Sequence, residues 1–394
     1  MRSVSSPTGG AFVPDLVCQR EPSGSGVLDG MRLAVKDLID VADAVTGGGN
    51  PDWAASHLAA KRDADCVALL RAAGARIVGK TITDELAFSL EGENAFYGTP
   101  RHPVDAERLP GGSSSGSAVA VARDEADLAL GTDTGGSVRV PAAFCGVAAM
   151  RPTHGRVSLT GVLPFAPGYD TVGWFARDAA QLRRAGHVLL GSADTQRPLL
   201  KACIATDTLA LADAPVREAL LAWAAGKGIT ATRQVFDGPW QTWLHAYAYL
   251  QGIEIQRQLG PWIRQQRPRF GPAIAPRFAH ALALDPAIEE AWTDWRSQHA
   301  GQLIAQLGPD EAWLVPAAPC VALHRQSGSA ERDDFYARAL ALGAIAGHAG
   351  LPQVVAPLAS VDGLPVGISF IAAPGQDERL LDLALAFSTT GSSA

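Results

Sequence analysis

The chain has 394 residues, 47% of them hydrophobic and 19% charged, with a net charge of −7. That length buries a large core, and an acidic balance without any basic tract excludes a nucleic-acid footprint. The opening residues lack the apolar stretch of a secretory leader, and no run approaches the roughly 20 apolar residues of a membrane span. The five cysteines (Cys18, Cys66, Cys145, Cys203, Cys320) show no CxxC or His-x-x-Cys spacing. That speaks against a metal site, and their odd number speaks against a disulfide framework. A reduced, cytoplasmic setting is expected.

In chain order, residues 1–26 are rich in Gly, Ser and Pro and read as a loosely packed opening segment. Met31–Ile39 (MRLAVKDLI) has the apolar content of a buried strand, with Lys36 inside it. A charged, unpaired lysine is costly in a buried strand, so Lys36 is expected to be neutral or hydrogen-bonded, and functional. Val45–Trp53 reads as a glycine loop, Asp63–Ala75 as a helix and Ala75–Gly79 as a strand. Lys80 opens a polar connection and reads as structural or exposed. Glu85–Ser89 reads as helix or loop, leading to Gly98-Thr99-Pro100 as one wall of a site.

Gly111–Gly146 (GGSSSGSAVAVARDEADLALGTDTGGSVRVPAAFCG) holds two Gly/Ser clusters joined by a short helix and a short strand. Serines in glycine-dense loops leave backbone N–H groups open and bring a small nucleophile close to a substrate. Ser137 is expected near a helix N-terminus, as the nucleophile of an amide hydrolase. Asp133 and Arg139 are expected to hold the loop's shape.

Beyond this stretch, Arg151–Thr160 and Gly161–Val172 read as loops and short strands, Arg177–Leu190 as a helix, Leu199–Thr206 as a strand and Val216–Gly226 as a helix. Trp240–Ser297 is helical, with Trp240, Trp243, Tyr247, Tyr249, Trp262 and Trp292 collectively able to cap a cleft. Glu311–Pro319 is a strand and exit loop, and Asp333–Gly347 a helix. Gln353–Pro357 and Gly367–Ala372 are late strands, and Glu378–Phe387 is the last helix. Alternating strands and helices, with no internal repeat or low-complexity linker, predict one α/β domain over residues 1–394 built on a mixed sheet.

Two alternative chemistries meet obstacles in the residues themselves. A phosphate-binding loop needs GxxxxGK[ST], and there is no lysine between Lys80 and Lys201. Gly112–Gly116 matches a nucleophile elbow around Ser114, but DAERLP precedes it where an apolar strand is required. None of the nine histidines sits in a setting that suggests a Ser-His-Asp enzyme.

The remaining reading is a serine hydrolase with a lysine base, and here the chain resembles the amidase signature family. The resemblance is carried by AVKD (34–37), GKT (79–81), the paired GGSSSGS and GTDTGGS clusters, RPTHG (151–155), GYDTVGWFARD (168–178) and DGLPVGISFI (362–371). It is similar in particular to plant indole-3-acetamide-type amidases, and it extends to Trp262–Ile274. The resemblance implies a central mixed sheet sandwiched between helices, with 111–146 as signature core and 240–300 as a helical substrate-side region. It implies Ser137 as acylated nucleophile, Ser113 as bridging serine in a cis Gly112–Ser113 peptide, and Lys36 as general base. Backbone amides of Thr134, Gly135, Gly136 and Ser137 form the expected oxyanion hole, and Ser89, Gly112 and Ser114 the expected substrate contacts.

No metal or organic cofactor is implied. The expected partner is a small amide, possibly an aryl-acetamide, without nucleic acid or membrane, and a homodimer is compatible with the family. The readings kept alongside are a urea- or allophanate-type hydrolase, an amidotransferase A subunit and a non-catalytic amidase-like binding module.

Overall fold

The computed structural model describes residues 9–191 and 197–389. Its strands, in chain order, are β1 (Arg32–Lys36), β2 (Arg76–Thr81), β3 (Leu128–Asp133), β4 (Ala148–Arg151), β5 (Thr171–Ala176), β6 (Lys201–Ala205), β7 (Thr232–Arg233), β8 (Glu311–Leu314), β9 (Gln353–Val361) and β10 (Leu364–Ala372). They form one sheet in the order β2-β1-β3-β5-β4-β9-β10-β8-β6-β7. β1 runs parallel to β2 and β3, and β6 runs parallel to β7 and β8. The pairings in between are antiparallel, so the sheet is mixed as expected.

Successive strand residues point to opposite faces, and here they enter two different cores. Leu33, Val35, Leu128, Leu130, Met150 and Trp174 fill one. Helices Asp65–Ala72, Ala179–Leu189, Ala214–Gly226 and Asp377–Thr389 cover it. The other face carries Ala34, Ala129 and Ala149 from the same strands. These small side chains let helices Ser115–Ala122 and Arg139–Cys145 approach the sheet closely. Helices Trp240–Gln258, Ala275–Leu282 and Ser329–Ala349 complete that layer. Lys36, two residues after Ala34, therefore belongs to the alanine face. None of the described helices is long and apolar enough to cross a membrane.

Three expectations need correction. The described part of the opening segment is not loose: Phe12 and Arg20 bridge to Thr81 and Ile77 of β2, and Ala11 and Val13 are buried. Residues 1–8 lie outside the described residues. The glycine loop at Val45–Trp53 runs into a short helix, Pro51–Ser56. Asn50 caps it by accepting from the amides of Asp52 and Trp53, and Pro51 occupies the first turn, where its missing N–H costs nothing. The two late strands are longer than expected and join as an antiparallel hairpin across Asp362-Gly363. Both turn residues have positive φ, the conformation for which Asp-Gly is favoured.

Lys80 is structural and buried. Its Nζ pairs with Asp37 Oδ1 at 2.9 Å and donates to Thr46 Oγ1 at 2.8 Å. Asp37 also accepts from the Gly47 amide at 3.1 Å. Removing one partner of such a pair leaves an uncompensated buried charge, so Lys80→Met is expected to lower unfolding stability by about 3–5 kcal/mol. Urea denaturation checks this, with the exposed Lys61→Met as control. Equal losses in the two variants would mean that the buried pair contributes nothing.

Candidate active site

Lys36 closes β1 and is fully buried. Its Nζ lies 2.7 Å from Ser113 Oγ, 2.9 Å from Ser114 Oγ and 2.9 Å from Thr132 Oγ1. All three partners are neutral hydroxyls. Lys80, by contrast, touches a carboxylate. Burial therefore pushes the Lys36 pKa well below that of an ordinary lysine, and the charges of Asp84, Asp133 and Asp170 only partly oppose it.

The serine cluster is held over this amine by backbone contacts. The Gly112–Ser113 peptide is cis. The Ser113 carbonyl accepts from the Asp84 amide at 3.2 Å, and the Ser114 amide donates to the Ser137 carbonyl at 3.1 Å. The second bond ties the two Gly/Ser clusters together. Asp84 is itself buried: Oδ2 accepts from the Gly92 amide at 3.0 Å, and Oδ1 has no partner among the described residues. Burial raises its pKa, favouring the protonated form.

Asp133 shapes the second cluster. Its carboxylate takes Arg139 Nη2 at 2.7 Å and Nε at 2.9 Å, and Arg151 Nη1 at 3.0 Å. It also accepts the amides of Gly136 at 3.0 Å and Val138 at 3.1 Å. Burial alone would raise its pKa, but Arg139 and then Arg151 hold it well below the usual carboxylate range. This is the loop-holding role expected for Asp133 and Arg139. Thr134 is fixed in turn by a 2.6 Å bond from its Oγ1 to Asp170 Oδ1. Behind the loop, Gly343 of helix Ser329–Ala349 packs so closely that a Cβ there would overlap the Gly135 carbonyl oxygen.

The structure brings Lys36 and Ser113 together and links Ser137 to them through the neighbouring Ser114 amide. Ser137 is 5% exposed and stands two residues ahead of helix Arg139–Cys145. Among the described residues, the amides of Thr134, Gly135 and Ser137 have no hydrogen-bond partner. Gly136 is a correction: its amide is committed to Asp133, so it leaves the expected oxyanion set. Ser114 is another. Its side chain is fully buried, its Oγ accepts from Lys36 and donates to the Thr132 carbonyl at 3.2 Å, and so it holds the lysine and does not face a substrate. Gly112 is also buried, close against the Asp84 carboxyl and the Gly92 amide, with no room for substrate between them. Ser89 lines a pocket of about 230 Å3 with Glu85, Glu91 and Asn94.

Sequence reasoning missed Thr132 as a lysine partner. It stands in the same GTDTGGS run as Ser137, at the end of β3, where that signal was available.

Next to the loop lies a largely apolar cavity of about 290 Å3, walled by Phe88, Ile255, Ala281, Tyr336 and Leu340. Leu340 joins it to the loop, since a Cβ on Gly135 would stand 2.7 Å from Leu340 Cδ1. None of the six aromatics singled out in 240–297 lines it. Trp243 and Tyr247 are core residues, and the cavity's aromatic walls come from Phe88 and Tyr336, outside that stretch.

Known proteins resemble the chain in sequence and in fold. A family model described as Amidase matches residues 18–218. Amidase 1 of Arabidopsis thaliana is 38% identical, over 95% of this chain and 96% of its own length. Amidase 1 of Oryza sativa subsp. japonica is 37% identical, over 95% of this chain and 93% of its own. A crystal structure of an amidase superposes with a TM-score of 0.82 at 30% identity, covering 93% of this chain and 85% of that one.

The Lys36 environment can be measured directly. The chain has five lysines, and in a 13Cε-lysine NMR titration one resonance is expected to titrate well below the reference value of about 10.4. Lys36→Met should remove that resonance. Five lysines all titrating near the reference would mean the buried amine keeps its proton.

Proposed function

The chain belongs to the amidase signature family, and on that premise we propose that Lys36, Ser113 and Ser137 form its catalytic relay. As an amidase it cleaves a carboxylic amide to a carboxylate and an amine or ammonia. The observation that carries the assignment is the buried Lys36 amine, held at 2.7 Å from Ser113 Oγ without a contacting carboxylate.

An ammonium would donate to all three hydroxyls. A neutral amine has two protons and one lone pair, so one hydroxyl must donate to it. Ser114 already gives its proton to the Thr132 carbonyl, which leaves Ser113 or Thr132 for that role. Ser113, the nearer, then donates to Lys36 and accepts from Ser137 Oγ as that oxygen attacks the substrate carbonyl. Negative charge gathers on the carbonyl oxygen. The amides of Thr134, Gly135 and Ser137 are the donors proposed to receive it, and losing one such donor typically costs about 10²–10³ in rate. The proton returns from Lys36 through Ser113 to the leaving nitrogen as the C–N bond breaks. Water then hydrolyses the Ser137 ester by the same relay in reverse.

The acyl group is proposed to extend past Gly135 and Leu340 into the apolar cavity. Its walls support an aryl or other apolar acyl group, with a primary aryl-acetamide such as indole-3-acetamide as candidate, over a small polar urea. The five unpaired cysteines support a reducing compartment such as the cytoplasm.

A fluorophosphonate probe is expected to label Ser137, and Ser137→Ala or Lys36→Ala to cut ammonia release by about 10³-fold or more. Labelling at Ser114 would restore the elbow reading. The pH sign follows from the lysine. Its protonated form cannot accept a proton, and its pKa is lowered, so kcat/KM should rise from acid and level off below the alkaline range of a free lysine. A profile flat from acid to alkaline pH would remove Lys36 as the base.

A further inference from the structure

Among the residues that wall the apolar cavity, one polar side chain is buried. Helix Trp240–Gln258 contributes Ala248, Gln251, Gly252 and Ile255 to the wall. Their spacing, i, i+3, i+4 and i+7, is that of a single helix face, so Gln251 belongs to the face turned to the cavity. Ala248 is exposed, and Gly252 and Ile255 are buried, so this face runs from the surface inward past Gln251. Gln251 is 5% exposed, yet neither Oε1 nor Nε2 has a hydrogen-bond partner among the described residues. Neither atom is sealed off: the small surface that the residue keeps includes both, and the cavity is what it opens on.

Two other glutamines show what a structural role looks like. Gln256, further along the same helix, gives Nε2 to the carbonyls of Leu282 and Leu284 at 3.0 and 3.1 Å. The buried Gln353 accepts from Arg139 Nη1 at 2.7 Å and donates to Ser369 Oγ at 2.7 Å. Gln251 makes no bond of either kind. Taking a polar group out of water without a partner is costly, and native structures keep few such groups without a reason. An apolar side chain would fill the same face at lower cost.

We propose that Gln251 is a specificity-determining residue whose carboxamide hydrogen-bonds an uncharged group with a proton of its own, a hydroxyl or a ring N–H, on the apolar acyl portion of the substrate. Oε1 accepts from that group, and the unpaired amide is free to turn its oxygen towards it. A hydroxyl can accept from Nε2 as well, so it matches the carboxamide whichever way the amide is turned. A site that hydrogen-bonds a substrate group discriminates against the analogue lacking it, because its own polar group is then left unpaired. The proposal rests on the reading of the cavity as the place of an aryl acyl group.

Three near-isosteric pairs of amides test this, with ammonia release as readout: 3- and 4-hydroxyphenylacetamide against their methyl analogues, and indole-3-acetamide against benzothiophene-3-acetamide. The quantity read is the kcat/KM ratio within each pair, in the wild-type protein and in Gln251→Met. For at least one pair the substitution should lower the ratio by about fivefold or more, the range of a neutral hydrogen bond. Each ratio is taken within one protein, so a general change in turnover cancels. Urea denaturation supplies a second measurement. Gln251→Met should unfold at the wild-type urea concentration or above it, since the carboxamide bonds nothing in the protein. Ratios left unchanged for all three pairs overturn the proposal. So does unfolding at lower urea, which would make the carboxamide structural. Ammonia release from none of the six amides would instead overturn the aryl-amide reading, and this proposal with it.

Discussion

The site depends on burying one amine without a counter-ion. Lys36 is fully enclosed, and only hydroxyls contact it. Desolvation then works against its charge, with no contacting carboxylate to restore it. A few residues away the same fold makes the opposite choice, pairing Lys80 with Asp37. Two buried lysines thus have two functions, set by what stands within hydrogen-bond reach. The lysine with an ionic partner braces the sheet edge, and the lysine with hydroxyl partners is the one proposed to exchange a proton.

The charges around Lys36 are kept at one remove by the same economy. Asp133 would be an obvious partner for an ammonium, but two arginines and two loop amides already occupy its carboxylate. Asp170 is taken by Thr134 and by the amides of Phe165 and Ala166. Each carboxylate is spent on fixing a loop, and fixing those loops sets the direction of the amides beside Ser137. Electrostatic isolation of the lysine and rigidity of the Ser137 loop come from the same set of bonds.

Much of this was legible in the sequence, and the misses have physical causes. Lys36 stood out because apolar neighbours on both sides imply burial, and the two Gly/Ser clusters stood out by composition. The alternating pattern of short apolar strands and helices located nearly every element. What the chain order could not reveal was which partner a group meets in space. The polar connection that Lys80 opens predicts a structural or exposed residue, and the pairing with Asp37, distant in sequence, makes it structural. The family resemblance puts Gly136 among the oxyanion donors, and only the position of the Asp133 carboxylate shows its amide to be occupied. Ser114 is expected as a substrate contact and is instead one of the lysine's three hydroxyl neighbours. The aromatic residues of 240–297 drew attention by their number, but aromatic rings in helices pack into cores first.

Helix Ser329–Ala349 lends one rigid face to two tasks. Tyr336 and Leu340 form part of the cavity wall, and Gly343, further along, abuts the Gly135 carbonyl. A helix moves as a rod, so a change that repacks its cavity end also shifts the point on which the loop of the proposed nucleophile rests. With the cavity as the proposed acyl site, substrate range and turnover are not independent variables here. Enlarging the cavity through this helix would disturb the proposed chemistry, whereas Phe88 and Ile255, wall residues on other elements, offer sites where selectivity could drift during evolution.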